Sequence, residues 1–222
     1  RESVQGSYRG YGVASMPPPS SGGVHLIQML NILENANLQA IEHNSSDYLH
    51  FLVEAMKPAY ADRSQHLGDP NFVQVPVNRL ISKEYAAELW GEIDAFQARP
   101  SEEIAPFSPN VEESTDTTHF SVWDTEGNVV SNTYTLNFSY GNGIAVAGAG
   151  FLLNNEMDDF SAKPGAANAY GLIGSEANSI EPGKRPLSSM TPTIVFKDGK
   201  PYMTTGSPGG SRIITTVLQS IL

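Results

Sequence analysis

Asp116-Thr117-Thr118-His119-Phe120-Ser121-Val122 is the stretch on which the fold turns: an acidic, Pro-rich, poorly patterned run stops there and an alternating strand begins. Upstream, residues 98–116 hold Pro100, Pro106 and Pro109 and five acids (Glu102, Glu103, Glu112, Glu113, Asp116) against one base, Arg99. That composition reads as exposed, mobile chain. Downstream, Phe120, Val122, Val129, Val130 and the run from Thr133 to Leu136 flank Asp124-Thr125-Glu126-Gly127-Asn128, which predicts a β-hairpin. A mobile segment joined directly to a rigid strand is a natural cleavage point. Cut before Thr117, the strand would begin with a threonine carrying both a hydroxyl nucleophile and a free α-amine, whose pKa of roughly 7.7–8.0 suits a general base. The plainer reading of Thr-Thr at a strand start is ordinary β-propensity.

The 222 residues suffice for one domain with a sizeable core, or form a piece of a larger one. The chain starts at Arg1 and stops on the apolar Ile221-Leu222, so both ends are expected to continue into a longer protein. A net charge of −11, a pI near 4.8 and the lack of a basic stripe argue against nucleic acid and anionic membrane, and for small molecules or peptides as partners. With no cysteine, disulfides, thiolate zinc sites and a Cys nucleophile are excluded. No apolar run approaches the roughly 18 residues of a membrane helix.

In chain order, Tyr8 to Ser15 alternates like a strand and runs into Met16-Pro17-Pro18-Pro19-Ser20-Ser21-Gly22-Gly23, an extended segment with a capping serine. Leu26, Ile27, Leu30 and Leu33 then predict an amphipathic helix over residues 24–35, with His25 as a packing or surface histidine. Ser45 or Ser46 caps a second helix whose Tyr48, Leu49, Leu52, Val53, Met56 and Tyr60 form one face, kinked near its end by Pro58. A third helix is expected from about Ser82 to Phe96, and nothing in residues 24–97 looks catalytic. His43, His50 and His66 are too scattered for a metal constellation.

The second half changes to strands and glycine turns. Thr135 and Asn137, two apart, are expected on one face, beside Thr117. Glu156, Asp158 and Asp159, set between Leu153, Met157 and Phe160, suit a substrate ammonium or calcium, with a solvated turn as the alternative. Residues 161–183, with Tyr170 near the middle, read as a loop long enough to serve as a lid. Ser188 and Ser189, after the basic Lys184-Arg185, can bind a carboxylate or simply cap a turn. A hairpin over residues 193–204 leads to Gly206-Ser207-Pro208-Gly209-Gly210 at the head of a helix from Ile213. Successive N–H groups there suit an oxyanion; a phosphate site lacks its lysine.

Five stretches, Ser15 to Gly23, Thr117-Thr118-His119, Leu153 to Phe160, Pro186 to Met190 and Gly206 to Gly210, resemble in order the motifs of γ-glutamyltransferases (γ-glutamyltranspeptidases), members of the N-terminal nucleophile hydrolase superfamily. The resemblance implies an α+β fold, an αββα four-layer sandwich of which this chain is an incomplete slice. It implies autocatalytic cleavage of a zymogen at Asp116–Thr117, residues 1–116 closing a large subunit and 117–222 opening a small one, the two forming a heterodimer. Thr117 would be the nucleophile and Thr135 its positioning partner, while Asn137, Glu156 and Asp159 would take the substrate α-amine. Ser188 and Ser189 would hold the α-carboxylate, Gly209 and Gly210 would supply oxyanion N–H groups, and Tyr170 would sit on the lid. Substrates would be glutathione and other γ-glutamyl compounds, without cofactor or metal, in a periplasmic or extracellular location. An upstream arginine that the family uses for the α-carboxylate is absent, so the slice alone is expected to be inactive. A cephalosporin or glutaryl acylase of the same fold, or an inert binding module, are the alternatives.

Overall fold

The computed structural model describes residues 1–104, 117–168 and 171–222. The expected strand over Tyr8 to Ser15 is instead a hairpin, β1 (Val4–Tyr8) and β2 (Tyr11–Ser15). Arg9 and Gly10, at φ +48° and +85°, form the two-residue turn that matches strand twist. Period-two alternation cannot reveal such a turn, because it preserves the pattern on both sides. β2 pairs antiparallel with β5 (Thr193–Lys197), and β5 with β6 (Lys200–Thr205), giving a four-stranded sheet in the order β1-β2-β5-β6.

One helical layer covers this sheet, and its centre is α1 (Gly22–Glu34). The helix is not amphipathic as expected; every residue from Gly22 to Leu33 is buried. β1, α2 (Ser46–His66), α4 (Lys83–Gly91) and α5 (Ile213–Ile221) all pack against it, α3 (Val77–Leu80) being a single turn. Two of its polar residues have partners across the layer: Gln28 Nε2 donates to Asp62 Oδ2 at 2.6 Å and Asn31 Nδ2 to the Ile81 carbonyl at 2.7 Å. A buried amide with a partner costs little, which is why polar letters did not mark a solvent face here.

Ser45 caps α2 by accepting from Tyr48 N, and the helix runs on through Pro58 to His66. Its buried face is rotated from the expected one: Leu49 (43%) and Val53 (46%) are exposed, while Ala55, Ala59, Asp62 and Arg63 are inside. Ser82 caps α4, which ends at Gly91 rather than Phe96. Asp94 Oδ1 accepts from Phe96 N and Gln97 N, turning the chain away and leaving Phe96 99% exposed.

The second sheet is the expected hairpin, β3 (Thr117–Trp123) and β4 (Val129–Thr135), its turn held by Asp124 Oδ1 accepting from Glu126 N and Asn128 N, both at 2.9 Å. Ser131 ties it to the main sheet, donating to the Thr205 carbonyl (2.9 Å) and accepting from Thr193 N (3.0 Å). The result is the mixed α+β arrangement that was expected. Among the described residues no helix is long and apolar enough to cross a membrane.

Candidate active site

The register of the hairpin puts Thr117 directly opposite Thr135, and the Thr117 hydroxyl donates to Thr135 Oγ1 at 3.4 Å. Thr135 Oγ1 also accepts from Asn137 N at 2.9 Å. The chain has left the strand by then, Asn137 standing at φ +77°, so Thr135 and Asn137 share a face through a turn and not through alternation. Asn137 is buried and its Nδ2 donates to the Asn155 carbonyl at 3.3 Å.

Ser188 and Ser189 are presented by a segment clamped onto the Pro-Pro-Pro-Ser-Ser-Gly-Gly stretch. Ser21 N and Ser21 Oγ both donate to the Ser188 carbonyl (2.8 and 2.9 Å), and Ser188 N donates to the Pro19 carbonyl (2.9 Å). Gly22 is required by this clamp: a Cβ there would lie 2.4 Å from the Met190 carbonyl oxygen and 2.5 Å from Thr191 Oγ1. Ser188 Oγ accepts from Met190 N at 3.1 Å, and Ser189 Oγ from Arg63 Nη2 at 3.2 Å. Each hydroxyl oxygen is thus already an acceptor, which leaves its proton to be donated to a carboxylate.

Glu156 to Asp159 form a 3₁₀ turn. Burial pushes the Asp159 carboxyl up to about 7; Glu156 and Asp158 add to the rise and the Arg63 guanidinium opposes it. Burial also raises Glu156. Leaving water disfavours the charged form of a carboxyl, which is why both rise. Among the described residues no group of three or more His, Asp or Glu is placed to hold a metal ion.

Gly209 (φ +123°) and Gly210 (φ +54°) lead a 3₁₀ turn, Gly210–Arg212, directly into α5. A cavity of about 30 Å³ is lined by Thr117, Thr135, Asn137, Asp159, Ser188, Ser189 and Gly210, together with Leu172, Met190, Ser211 and Ile213. Seven residues expected at the site from separate stretches of sequence meet there. Gly209 and Glu156 are neighbours of lining residues without lining the cavity, and Tyr170 lies outside the described residues, as does Asp116 on the other side of the expected scissile bond.

The basic pair that precedes Ser188 is engaged within the protein: Lys184 Nζ donates to Glu181 Oε1 (3.0 Å), and Arg185 is forked onto the fully buried Asp69 through Nε (2.8 Å) and Nη2 (2.5 Å). From residues 24–97, where nothing was expected to be catalytic, a side chain reaches the lining of this cavity. Arg63 of α2 is buried, reaches both Ser21 Oγ (3.1 Å) and Ser189 Oγ, and acts electrostatically on Asp159. Its sequence signal was an arginine one turn beyond Ala59 on a helix, since arginine is almost never buried without partners.

The sequence profile of the gamma-glutamyltranspeptidase family matches residues 1–222. Over 222 residues the chain is 57% identical to the glutathione hydrolase proenzyme of Escherichia coli strain K12, covering 100% of this chain and 38% of that protein. It is 44% identical over 222 residues to the acylase ACY 1 proenzyme of Pseudomonas sp. strain SE83, covering 100% of this chain and 37% of that one. Its structure is similar to the crystal structure of a cephalosporin acylase from Bacillus halodurans, with a TM-score of 0.78 and 27% identity, over 99% of this chain and 37% of that chain. The chain therefore spans about 38% of the length of the glutathione hydrolase relative.

Proposed function

Because the chain belongs to the gamma-glutamyltranspeptidase family, we propose that the full protein transfers a γ-glutamyl group from glutathione or a related amide, through an ester on Thr117, to water or to the amine of an amino acid or peptide. Residues 1–116 then end the large subunit of a heterodimer and 117–222 begin the small one, separated by self-cleavage at Asp116–Thr117. The full protein would work in the periplasm or outside the cell, by family resemblance alone. Once cut, the Thr117 α-amine takes the proton of the Thr117 hydroxyl as its oxygen attacks the γ-carbonyl. Thr135, opposite it in register, keeps that oxygen in line. Gly210 and Gly209 donate N–H groups to the oxyanion at the positive end of α5. The donor's ammonium meets Asp159, with Asn137 and Glu156 beside it, and its carboxylate takes the Ser188 and Ser189 protons. Collapse of the tetrahedral intermediate expels the amine, and water or an acceptor amine repeats the attack on the ester.

The observation that carries this reading is the single cavity shared by Thr117, Asp159, Ser188, Ser189 and Gly210. An acylase acting on glutaryl side chains is the second reading, favoured by the acylase relatives. Asp159 argues against it, because a glutaryl group has no ammonium to answer a buried carboxyl. Mass spectrometry of the full-length protein for the cut at Asp116–Thr117, with turnover of a γ-glutamyl anilide against a glutaryl anilide, is the test. Cleavage with a preference for the γ-glutamyl compound is expected. Equal or reversed preference would favour the acylase, and an uncut, inactive full-length protein would sink both.

A further inference from the structure

The two glycines proposed to hold the oxyanion have no side chains with which to fix themselves. Both stand at positive φ, where the backbone of glycine is free to move, and an oxyanion hole depends on donors being held before charge develops. One restraint comes from within the turn, Arg212 N donating to the Gly209 carbonyl at 2.9 Å. Another comes from the helical layer: the Tyr60 hydroxyl of α2 donates to the Ser211 carbonyl at 2.9 Å. Ser211 follows Gly210 and lines the same cavity. The Tyr60 ring is itself held, its centroid 4.9 Å from that of His25 on α1. His25 is 1% exposed, so its ring backs that of Tyr60 as an enclosed, flat support. Burial and the nearby Arg63 hold the imidazole at about 3, which keeps that support neutral at any working pH.

We propose that Tyr60 is a positioning residue for the transfer reaction: its hydroxyl, backed by His25, fixes the Gly209-Gly210-Ser211 turn so that the glycine N–H groups point at the developing oxyanion. The proposal rests on the function proposed above. It implies a division of labour that a purely structural tyrosine lacks, since a loosened oxyanion turn slows chemistry without weakening donor binding.

The test uses the full-length protein with a γ-glutamyl anilide donor. Tyr60→Phe keeps the ring on His25 and removes the donor. Its kcat should fall roughly 5- to 30-fold, less than the 10²–10³ of losing an oxyanion donor outright, with KM within about twofold. Placing 4-aminophenylalanine at position 60, which restores an N–H donor, should recover kcat to within about threefold of the wild type. If Tyr60→Phe does not mature but the amino variant matures and turns over, donation is still supported. Unchanged kcat in a matured Tyr60→Phe, a loss expressed in KM, or failure of both variants to mature would each overturn the proposal. Wild-type protein run in parallel separates the two levels: an inactive wild type removes the reading of function and this inference with it, whereas an active wild type matched by Tyr60→Phe removes the inference alone.

Discussion

The helical layer and the β3–β4 hairpin bury their apolar residues to opposite degrees. In α1 the side chains of Leu26, Ile27, Met29, Leu30, Ile32 and Leu33 are wholly enclosed, whereas Phe120, Val122, Trp123, Val130 and Tyr134 of the hairpin stand about half exposed. The candidate nucleophile lies at the start of that lightly held hairpin. Its partners are fixed by tethers running back to the helices: Arg63 to Ser189, Tyr60 to Ser211, Ser21 to Ser188. The buried core and the candidate site thus occupy different layers, and the loops of the site are tied to the buried layer.

The sharpest way to separate the layers is to remove chemistry without touching packing. Thr117→Ala in the full-length protein should abolish both cleavage and turnover, a loss of more than roughly 10³-fold in rate given that the hydroxyl acts in both steps, with melting temperature nearly unchanged. Subunits separated on a denaturing gel would show the idea to be wrong. Thr117→Ser should retain part of both activities.

Gly22→Ala attacks the junction of the two layers. Its Cβ would meet the Met190 carbonyl at 2.4 Å, a backbone atom that cannot swing aside. We expect a loss of about 2–3 kcal/mol in denaturant unfolding together with weakened donor binding, because the Ser188-Ser189 segment must shift. Lost stability with an unaltered donor KM would show that the clamp and the pocket are independent.

Asp159→Asn should raise the KM of γ-glutamyl donors by a factor corresponding to about 1.5–3 kcal/mol, leaving glutaryl analogues and cleavage unaffected. Since the Asp159 carboxyl is pushed up to about 7 and an ammonium favours its charged form, donor KM should rise in the wild type as pH falls below 7, levelling off at the value of the variant, and stay flat in the variant. Stability has the opposite slope. The folded carboxyl holds its proton above the ordinary carboxylate range, so between about 4 and 7 the folded state binds more protons than the unfolded one. Rising pH therefore destabilises the donor-free protein across that window, and Asn removes the slope. Matching pH profiles in the two proteins would acquit Asp159.

The smallest effect tests the rotated face of α2. Val53→Gln should change unfolding free energy by no more than about 0.5 kcal/mol, where Leu52→Ala, next to it and buried, should cost about 2–4 kcal/mol. Equal costs would restore the face read from the sequence.

What the sequence disclosed and what it concealed follows from how each feature is encoded. Asp-Thr-Glu-Gly-Asn between alternating apolar runs is a local signal, and the hairpin it predicts sets Thr117 opposite Thr135 without any tertiary information. Of the expected residues that line the cavity, Thr117, Asp159, Ser188, Ser189 and Gly210 belong to short motifs, and Thr135 and Asn137 were read from their spacing of two after the hairpin. Arg9-Gly10 was missed because Gly10 is a weak turn signal inside an unbroken alternation. α1 was misread because burial on every side leaves no polar stripe, and its Gln28 and Asn31 find partners, Asp62 and the Ile81 carbonyl, far along the chain. Arg63 and Tyr60 were harder to read for a related reason: their partners, Ser189 and Ser211, lie more than a hundred residues away.

The pairing of β2 with β5, from Gly12 opposite Phe196 to Ser15 opposite Thr193, acquires a different meaning if the bond before Thr117 is broken. β1 and β2 then belong to one polypeptide and β5 and β6 to another, so the middle seam of the sheet becomes an association between molecules. Its equilibrium acquires a concentration dependence that the uncut chain never had. Its kinetics are another matter, since parting the strands would open a central ladder and strip α5 from α1, a barrier of the size of global unfolding. Mixed preparations of isotopically heavy and light matured enzyme should therefore keep their original partners for as long as the fold itself survives. Mass spectrometry that found scrambled pairs under native conditions would mean that the seam opens by itself.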